Sequence, residues 1–227
     1  MSAPWAPAIG PEVQRRYAAA GFGKPIGLGR RPALLVIDVQ YRTVGNTPKP
    51  FDEALADYCT ACGQAGWDAV ARIVPLLELF RARNWPVIYP HVAPKGAHDA
   101  GRLGAKVPAI MDIPAKGYEF VADVAPTEAD LLVPKKHPSA FFATALVSHL
   151  IDLGVDTLVV TGCTTGGCIR SSVVDAFAYN FRVLLPHDAC YDRAEVIHQV
   201  NLFDIGQKYA DVMSTDEALD ALAGIGG

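Results

Sequence analysis

The fold is decided by residues 156–168, which read DTLVVTGCTTGGC. The apolar half of this segment predicts a buried strand, and its glycine-rich half leads directly into a helical stretch at Ile169–Asn180. A strand, a tight turn and a helix in this order are typical of a parallel α/β sheet. The turn also puts Cys168 at the start of the helix, where backbone N–H groups favour a thiolate and can hold an oxyanion.

Strands and helices alternate on both sides of this segment. The sequence predicts six strands, at residues 33–38, 86–89, 131–133, 157–161, 182–185 and 211–213. Further helices are predicted at residues 67–84, 140–153, 193–209 and 215–222. Because Pro75 interrupts the first of these, we expect a kink there or a later start near Val74. The pattern predicts a three-layer α/β/α fold with a central, mostly parallel six-stranded sheet that binds ligands at the carboxyl ends of its strands.

The alternating pattern covers one domain, residues 31–227, and leaves an N-terminal arm at residues 1–30. The arm is rich in alanine and proline and has no obvious strand partner, so we expect it to contact a neighbouring subunit. Residues 91–129 are irregular and rich in glycine, proline and lysine. A segment of this length without a regular pattern is more often functional than a simple connector.

Composition excludes several classes of protein. The net charge is −4 and no dense basic run occurs, so we expect no binding to nucleic acid or to anionic membranes. No apolar run reaches the roughly 20 residues that span a bilayer. The first ten residues lack the order of a signal peptide, and five cysteines are an odd number for a disulfide framework. We therefore expect a cytoplasmic protein with reduced thiols.

Three reactive side chains are predicted at the carboxyl ends of strands or just beyond them: Asp38, Lys135 and Cys168. Taken singly, each has an ordinary structural interpretation, as a turn residue, a solvated surface lysine and a small core residue. The predicted sheet brings them to one edge. A thiol, a carboxylate and a cation at one edge supply a nucleophile, a proton acceptor and a charge stabiliser.

Three segments carry a resemblance to a known family. Residues 33–40 read ALLVIDVQ, residues 135–141 read KKHPSAF, and residues 161–168 read TGCTTGGC. Together they resemble the isochorismatase-like cysteine hydrolase family. The segments VVDAF at 173–177, DRA at 192–194 and NLFDI at 201–205 are most similar to the N-carbamoylsarcosine amidohydrolase branch, with maleamate amidohydrolases as close relatives. The resemblance covers roughly residues 25 to 222.

The resemblance implies a role for each of the three side chains. Asp38 would be the base, Lys135 the cation and Cys168 the nucleophile. Lys135 is preferred to Lys136 because relatives place the lysine four residues before a Ser-Ala-Phe sequence, which here begins at Ser139. The chain departs from the family in having glycine at position 166, where serine is common, and an untypical His-Pro pair at 137–138.

The resemblance also implies the groups that would hold the substrate. A cis peptide between Cys163 and Thr164 would accompany an oxyanion hole made by the N–H groups of Thr164 and Cys168. Arg193 would bind the substrate carboxylate through its planar fork, and Thr165 would assist. Relatives form oligomers, so a homotetramer or a dimer is implied.

The activity implied is hydrolysis of a small acyclic amide or ureido group attached to a carboxylate, with release of ammonia and without a cofactor. Isochorismatase itself acts on a vinyl ether without a cysteine nucleophile, so Cys168 argues against that activity. Nicotinamidases of this kind carry a metal site with clustered histidines. Because His91 and His98 are isolated in the sequence, we expect no metal.

Alternatives remain from the residues themselves. A Cys–His pair is common in hydrolases, so His137 or His198 is an alternative base. The chain could instead be a non-catalytic protein that binds small acids. Cys59 and Cys62 have the spacing of zinc or redox motifs but lack a second ligand pair. The glycines at 162, 166 and 167 do not match a dinucleotide-binding pattern.

Overall fold

The structure is a computed structural model, and it describes residues 3–226. Its central sheet contains seven strands, which are β1 Pro32–Ile37, β2 Val87–Val92, β3 Leu131–Lys135, β4 Thr157–Cys163, β5 Arg182–Pro186, β6 Cys190–Tyr191 and β7 Asp211–Met213. The order is β3-β2-β1-β4-β5-β7, with β6 beside the end of β4, and the paired strands run parallel. The three-layer, mostly parallel fold is confirmed. Six strands were predicted; β6 adds a seventh and is too short to show a pattern in the sequence.

The helices cover both faces of this sheet. They are α1 Pro11–Ala19, α2 Tyr41–Val44, α3 Phe51–Ala54, α4 Gln64–Ala82, α5 Gly101–Lys106, α6 Leu146–Asp152, α7 Arg170–Ala178, α8 Glu195–Lys208 and α9 Thr215–Ala223. One turn of π-helix at Thr165–Ile169 precedes α7. Single turns of 3-10 helix occur at Pro108–Asp112, Ala115–Tyr118, Ala122–Val124 and His187–Ala189.

Strand β1 shows why the sheet is buried on both sides. All six of its residues are buried, and it pairs with β4 from Pro32 opposite Thr157 to Ile37 opposite Gly162. Leu34 packs in the layer that contains α4 and α9, whereas its neighbour Leu35 packs in the layer that contains α6, α7 and α8. A continuous apolar run is what such a strand requires, since both of its faces lose contact with water.

Two predicted helices differ from the observed ones for local reasons. Helix α4 starts at Gln64 and continues past Pro75, so the helix predicted at residues 67–84 is present and the alternative of a later start near Val74 is wrong. Helix α6 starts at Leu146 and not at residue 140. The Thr144 hydroxyl donates to the Ala140 carbonyl oxygen and accepts from the Leu146 N–H, and such side-chain bonds compete with helical ones.

The described part of the N-terminal arm packs on its own chain. The Trp5 and Tyr17 rings lie 5.8 and 5.0 Å from the ring of Phe203 on α8. Further along, the N–H groups of Ile26 and Gly27 donate to the carboxylate of Asp211 on β7. Helix α1 itself buries no residue. Across residues 3–226, no helix is both long and apolar enough to cross a membrane.

Candidate active site

The three side chains predicted at the sheet edge meet in the structure. Asp38 follows β1, Lys135 ends β3, and Cys168 lies in the π-helical turn after β4. Asp38 has a positive φ of 56°, and its N–H donates to the Pro90 carbonyl oxygen at 2.9 Å. Because the strands are parallel, their carboxyl ends share one edge, and this topology brings together residues far apart in the sequence.

Lys135 is the central contact of this group. Its Nζ atom lies 2.7 Å from Oδ2 of Asp38, 3.3 Å from Sγ of Cys168 and 3.2 Å from the carbonyl oxygen of His137. Asp38 and Lys135 are each only 2% exposed. An ammonium group has three N–H donors, and each of them finds an acceptor here, so the position of the charge is fixed.

The electrostatics favour a neutral thiol before substrate arrives. Burial raises the pKa of Cys168 and the Asp38 carboxylate raises it further, while the Lys135 ammonium opposes both effects. For Lys135, burial acts to lower the pKa, but Asp38 and Cys168 outweigh it and hold the pKa above its usual value. The sequence favoured a thiolate at Cys168. The structure differs because the Lys135 charge is already paired with Asp38 and the thiol is desolvated.

One oxygen of Asp38 remains available. Oδ1 is buried and has no hydrogen-bond partner among the described residues. The carboxylate is otherwise held firmly, since Oδ2 binds Lys135 and the Asp38 carbonyl oxygen accepts from the Thr43 hydroxyl at 2.7 Å. An unpartnered carboxylate oxygen beside a thiol can accept a proton.

The turn from β4 to α7 carries the expected peptide geometry. The peptide bond between Cys163 and Thr164 is cis. The Thr164 carbonyl oxygen accepts from the N–H groups of Gly167 and Ile169, at 2.8 and 3.2 Å. Thr164 lies just beyond the end of β4, and its N–H has no backbone acceptor among the described residues, so it is free to bind a ligand. Both Thr164 and Cys168 line a cavity that Asp38 and Lys135 also line.

A cavity of about 470 Å³ opens over Cys168. Its floor contains Asp38, Lys135 and Cys168, and one wall contains Cys59, Thr60 and Arg193. The irregular segment at residues 91–129 supplies much of the rest, namely Val92, Lys95, Leu103, Val107, Ile110 and Tyr118. The long segment therefore shapes the cavity, as its length suggested.

Arg193 and Thr165 differ in their relation to the cavity. The Arg193 side chain is exposed at the cavity wall, and its Nη2 donates to the Thr60 carbonyl oxygen at 3.1 Å. Thr165 is completely buried, its hydroxyl lies 2.7 Å from Nδ1 of His198, and it does not line the cavity. The Thr165 hydroxyl therefore contacts His198 in this structure, and a part for Thr165 in substrate binding stays a prediction.

The two histidines considered as bases occupy different places. His198 is bonded to Thr165 and stays outside the cavity lining, and burial lowers its pKa. His137 lines the cavity, but its ring packs edge-on against Phe142 at 4.8 Å. Its contact with Lys135 is made by the backbone carbonyl oxygen. Neither imidazole forms a hydrogen bond with Cys168 among the described residues.

All five cysteines are free thiols. Cys59 lines the cavity, whereas Cys62 is buried in the core beneath it. Burial raises the pKa of Cys62 to about 12 against the lowering effect of Arg193. In the part of the chain that the structure describes, no group of three or more His, Cys, Asp or Glu side chains is arranged to hold a metal ion.

Sequence reasoning missed two cationic residues of the cavity, Lys95 and Arg42. Arg42, on α2, lines the cavity although it is only 6% exposed. The available signal was its position four residues after Asp38, on the first turn beyond a strand end. Such a position lies at the edge of the sheet where ligands bind.

Residues 32–217 match the family model described as the Isochorismatase domain. The chain belongs to the isochorismatase family. This finding confirms the resemblance carried by the strand-end motifs.

Individual members of the isochorismatase family agree with this placement. Maleamate amidohydrolase of Pseudomonas putida is 35% identical over 212 residues, which cover 91% of this chain and 93% of that protein. N-carbamoylsarcosine amidase of an Arthrobacter species is 34% identical over 222 residues, which cover 91% of this chain and 78% of that protein. The solved structure of a cysteine hydrolase from Pseudomonas syringae superposes with a TM-score of 0.79 at 24% identity, covering 89% of this chain and 99% of that chain. This last similarity concerns the fold.

Proposed function

We propose that this isochorismatase-family protein is a cysteine-dependent amidohydrolase. It cleaves a linear amide or carbamoyl C–N bond in a small carboxylate-bearing substrate similar to N-carbamoylsarcosine, and it releases ammonia. The observation that carries the proposal is the position of the Lys135 ammonium, 2.7 Å from the Asp38 carboxylate and 3.3 Å from the Cys168 sulfur. The names of the relatives, a maleamate amidohydrolase and an N-carbamoylsarcosine amidase, support hydrolysis of C–N amide bonds.

The first half of the reaction forms a bond to sulfur. The unpartnered Oδ1 of Asp38 takes the proton of the Cys168 thiol as the sulfur attacks the substrate carbonyl carbon. The carbonyl π electrons move to the oxygen, and the N–H groups of Thr164 and Cys168 hold the resulting oxyanion. Removing one such donor typically costs about 100- to 1,000-fold in rate. Asp38 then gives its proton to the amide nitrogen, the C–N bond breaks, and ammonia leaves.

The second half releases the product. The acyl group is now a thioester of Cys168, or a thiocarbamate if the substrate was a ureido acid. Water attacks its carbonyl carbon as Asp38 accepts a proton from the water, and the C–S bond breaks. The departing sulfur recovers that proton from Asp38. Lys135 keeps its charge throughout, because Asp38 and Cys168 hold its pKa above the usual value despite burial. It stabilises whichever neighbour is negative.

Arg193 anchors the substrate at the cavity wall. Its guanidinium can bind a carboxylate in a bidentate manner, and the bond from Nη2 to the Thr60 carbonyl oxygen orients it. Arg193 lines the same cavity as Cys168. An anchor in the same cavity as the reactive sulfur selects small amides that carry a carboxylate.

The test is release of ammonia from a panel that contains N-carbamoyl amino acids and maleamate. The wild type should hydrolyse at least one compound, and Cys168→Ala should lose at least about 1,000-fold of kcat/KM because the nucleophile is absent. Activity retained in Cys168→Ala would remove the nucleophile from the mechanism. A wild type that binds these acids but never releases ammonia would favour a non-catalytic binding protein.

Maleamate hydrolysis is the main alternative specificity, and the 35% identity to a maleamate amidohydrolase favours it. Maleamate would form a thioester on Cys168 and release maleate. N-carbamoylsarcosine would form a thiocarbamate and release sarcosine and carbon dioxide, so the products distinguish the two activities. Release of maleate from maleamate, at a rate above that for any ureido acid, would decide for this alternative.

We also propose that the chain forms a homo-oligomer, a tetramer or a dimer, in which the N-terminal arm takes part. Phe22 and Ile26 of the arm are exposed apolar residues, as are Val196 and Val200 on the neighbouring α8. Removal of residues 1–22 should then reduce the mass measured by light scattering. An unchanged mass would exclude the arm from the interface. A cytoplasmic location remains a prediction.

A further inference from the structure

Arg42 is a buried cation without an anion. Its guanidinium lies 4.8 Å from the centre of the Tyr118 ring, and its Nε atom is buried without a hydrogen-bond partner among the described residues. No ion pair joins it to any carboxylate in residues 3–226. A buried charge without a partner is costly, so the arrangement calls for an anion that the protein does not supply.

Two other partly buried arginines in this fold are paired with carboxylates. Arg81 donates to the Asp130 carboxylate at 2.7 Å and to the Tyr89 hydroxyl at 3.2 Å. Arg170 forms an ion pair with Asp204. Arg42 is more buried than either, yet it faces a cavity instead of a carboxylate.

The charge lining the cavity is unbalanced in the same sense. Five cationic side chains line it, and the one carboxylate in the described lining is Asp38; the cations are Arg42, Lys95, Lys135, Lys136 and Arg193. Asp38 pairs with Lys135, and Asp99 pairs with Lys136. Arg42, Lys95 and Arg193 are left without an ion-pair partner among the described residues. A ligand with one carboxylate would still leave an excess of positive charge.

The two arginines are linked through one residue. The Thr60 hydroxyl donates to the Arg42 carbonyl oxygen at 2.6 Å, and the Thr60 carbonyl oxygen accepts from Arg193 at 3.1 Å. Arg42 and Arg193 therefore brace the same wall, with Arg42 deep in the cavity and Arg193 at its exposed side. Both residues line one cavity of about 470 Å³, which has room for a small molecule.

We propose that Arg42 is a second anion anchor and that the substrate is an amide or ureide that retains two free carboxylates, as N-carbamoylaspartate does. One carboxylate binds Arg193, and the other binds the Arg42 guanidinium, which lies over the Tyr118 ring. The proposal deepens the amidohydrolase function and rests on it for the reaction. The binding of a dianion stands on the cavity alone.

Binding is measured first, so that turnover is not required. The full-length Cys168→Ala protein is titrated by calorimetry with succinate and with butyrate, which has the same chain length and one carboxylate fewer. Succinate should bind at least about 10-fold more tightly, since a site built to bind an anion rejects the analogue that lacks it. Arg42→Met in the same background should abolish this preference, and Arg42→Lys should restore part of it.

The matched control is Arg102→Met. Arg102 is exposed on α5 and does not line the cavity, so its loss changes the net charge equally and should leave the succinate preference intact. Equal affinities for succinate and butyrate in Cys168→Ala would overturn the proposal even if the Arg42 variants failed to fold. A preference that survives Arg42→Met would overturn it as well.

Turnover separates this inference from the proposed function. In the wild type, N-carbamoylaspartate should have a KM at least about 10-fold below that of N-carbamoylalanine. Arg42→Met should raise the KM for N-carbamoylaspartate and leave the KM for N-carbamoylalanine unchanged. Arg42-dependent succinate binding without ammonia release from any amide would refute the hydrolase and retain the anchor. Ammonia release without an advantage for the dicarboxylate would refute the anchor and retain the hydrolase.

Discussion

Gly162 lies against the backbone of Ile37 so closely that a Cβ atom at position 162 would be 2.1 Å from the Ile37 carbonyl oxygen. The two residues are partners in the β1–β4 ladder. Gly162 also has a positive φ of 105°, which side chains disfavour. One glycine thus allows the strand that carries Cys163 to approach the strand that carries Asp38.

Gly162→Ala should lower the free energy of unfolding by at least about 3 kcal/mol, because the clash involves backbone and cannot relax by side-chain rotation. Gly27→Ala is the matched control, since Gly27 also has a positive φ but no atom within 4 Å of the added Cβ. The control should lose only about 1–2 kcal/mol. Urea denaturation of both variants measures the difference, and equal losses would show that the contact with Ile37 is unimportant.

Asp38→Asn distinguishes the proposed base from a histidine. The variant should lose at least about 1,000-fold of kcat/KM, since a carboxamide cannot accept the thiol proton. His198→Gln should lose less than about 10-fold, because His198 contacts Thr165 and not the cavity. Asp38→Asn leaves a buried lysine charge without its partner, so a thermal melt must first establish that it is folded. A severe loss in His198→Gln beside an active Asp38→Asn would reverse the assignment.

Alkylation of Cys168 by iodoacetamide should be slow at neutral pH and should accelerate as the pH rises above the ordinary thiol pKa of about 8.5. The reason is that burial, followed by the Asp38 carboxylate, raises the pKa of the thiol. Lys135→Met should slow the reaction further, since Lys135 opposes that rise. Lys136→Met, whose lysine is paired with Asp99, should have a much smaller effect. The alkylation rate is measured by mass spectrometry of the peptide that contains Cys168. If the midpoint of the rate against pH lay below about pH 7, the resting side chain would be a thiolate.

Alkaline pH should destabilise the fold through Cys62. Burial raises the pKa of this thiol to about 12 in the folded state, against about 8.5 when unfolded. The unfolded state therefore loses its proton first, and stability present below pH 8.5 declines as the pH rises toward 12. Each such thiol contributes a slope of at most about 1.4 kcal/mol per pH unit. Cys62→Ala should flatten the decline measured by urea denaturation at pH 7 to 10.5, and an unchanged slope would contradict the assignment.

The sequence predicted those features that depend on strand ends. Asp38, Lys135 and Cys168 each follow or end a strongly apolar run, so a parallel sheet alone is enough to bring them to one edge. The short strand at Cys190–Tyr191 could not be predicted in this way, because two residues carry no periodic signal.

Features that depend on packing between distant segments were not predicted. Trp5 contacts Phe203, although the two residues lie near opposite ends of the sequence, and no local pattern predicts that contact. Thr165 has the sequence position of a cavity residue, but the π-helical turn directs its hydroxyl to His198. The burial of Arg42 depends on Tyr118, more than seventy residues later in the sequence, so no local pattern indicates it.

Two kinds of segment line the cavity, and they differ in how the fold holds them in place. The reactive groups sit on strand ends locked into the sheet, whereas Lys95, Leu103, Val107, Ile110 and Tyr118 come from one irregular stretch between β2 and β3. Substitutions in that stretch would change the shape of the cavity, whereas the sulfur, the carboxylate and the ammonium belong to other parts of the fold. A change of sequence within this one insertion can therefore reshape the cavity while the elements that hold the three reactive side chains keep their own sequence.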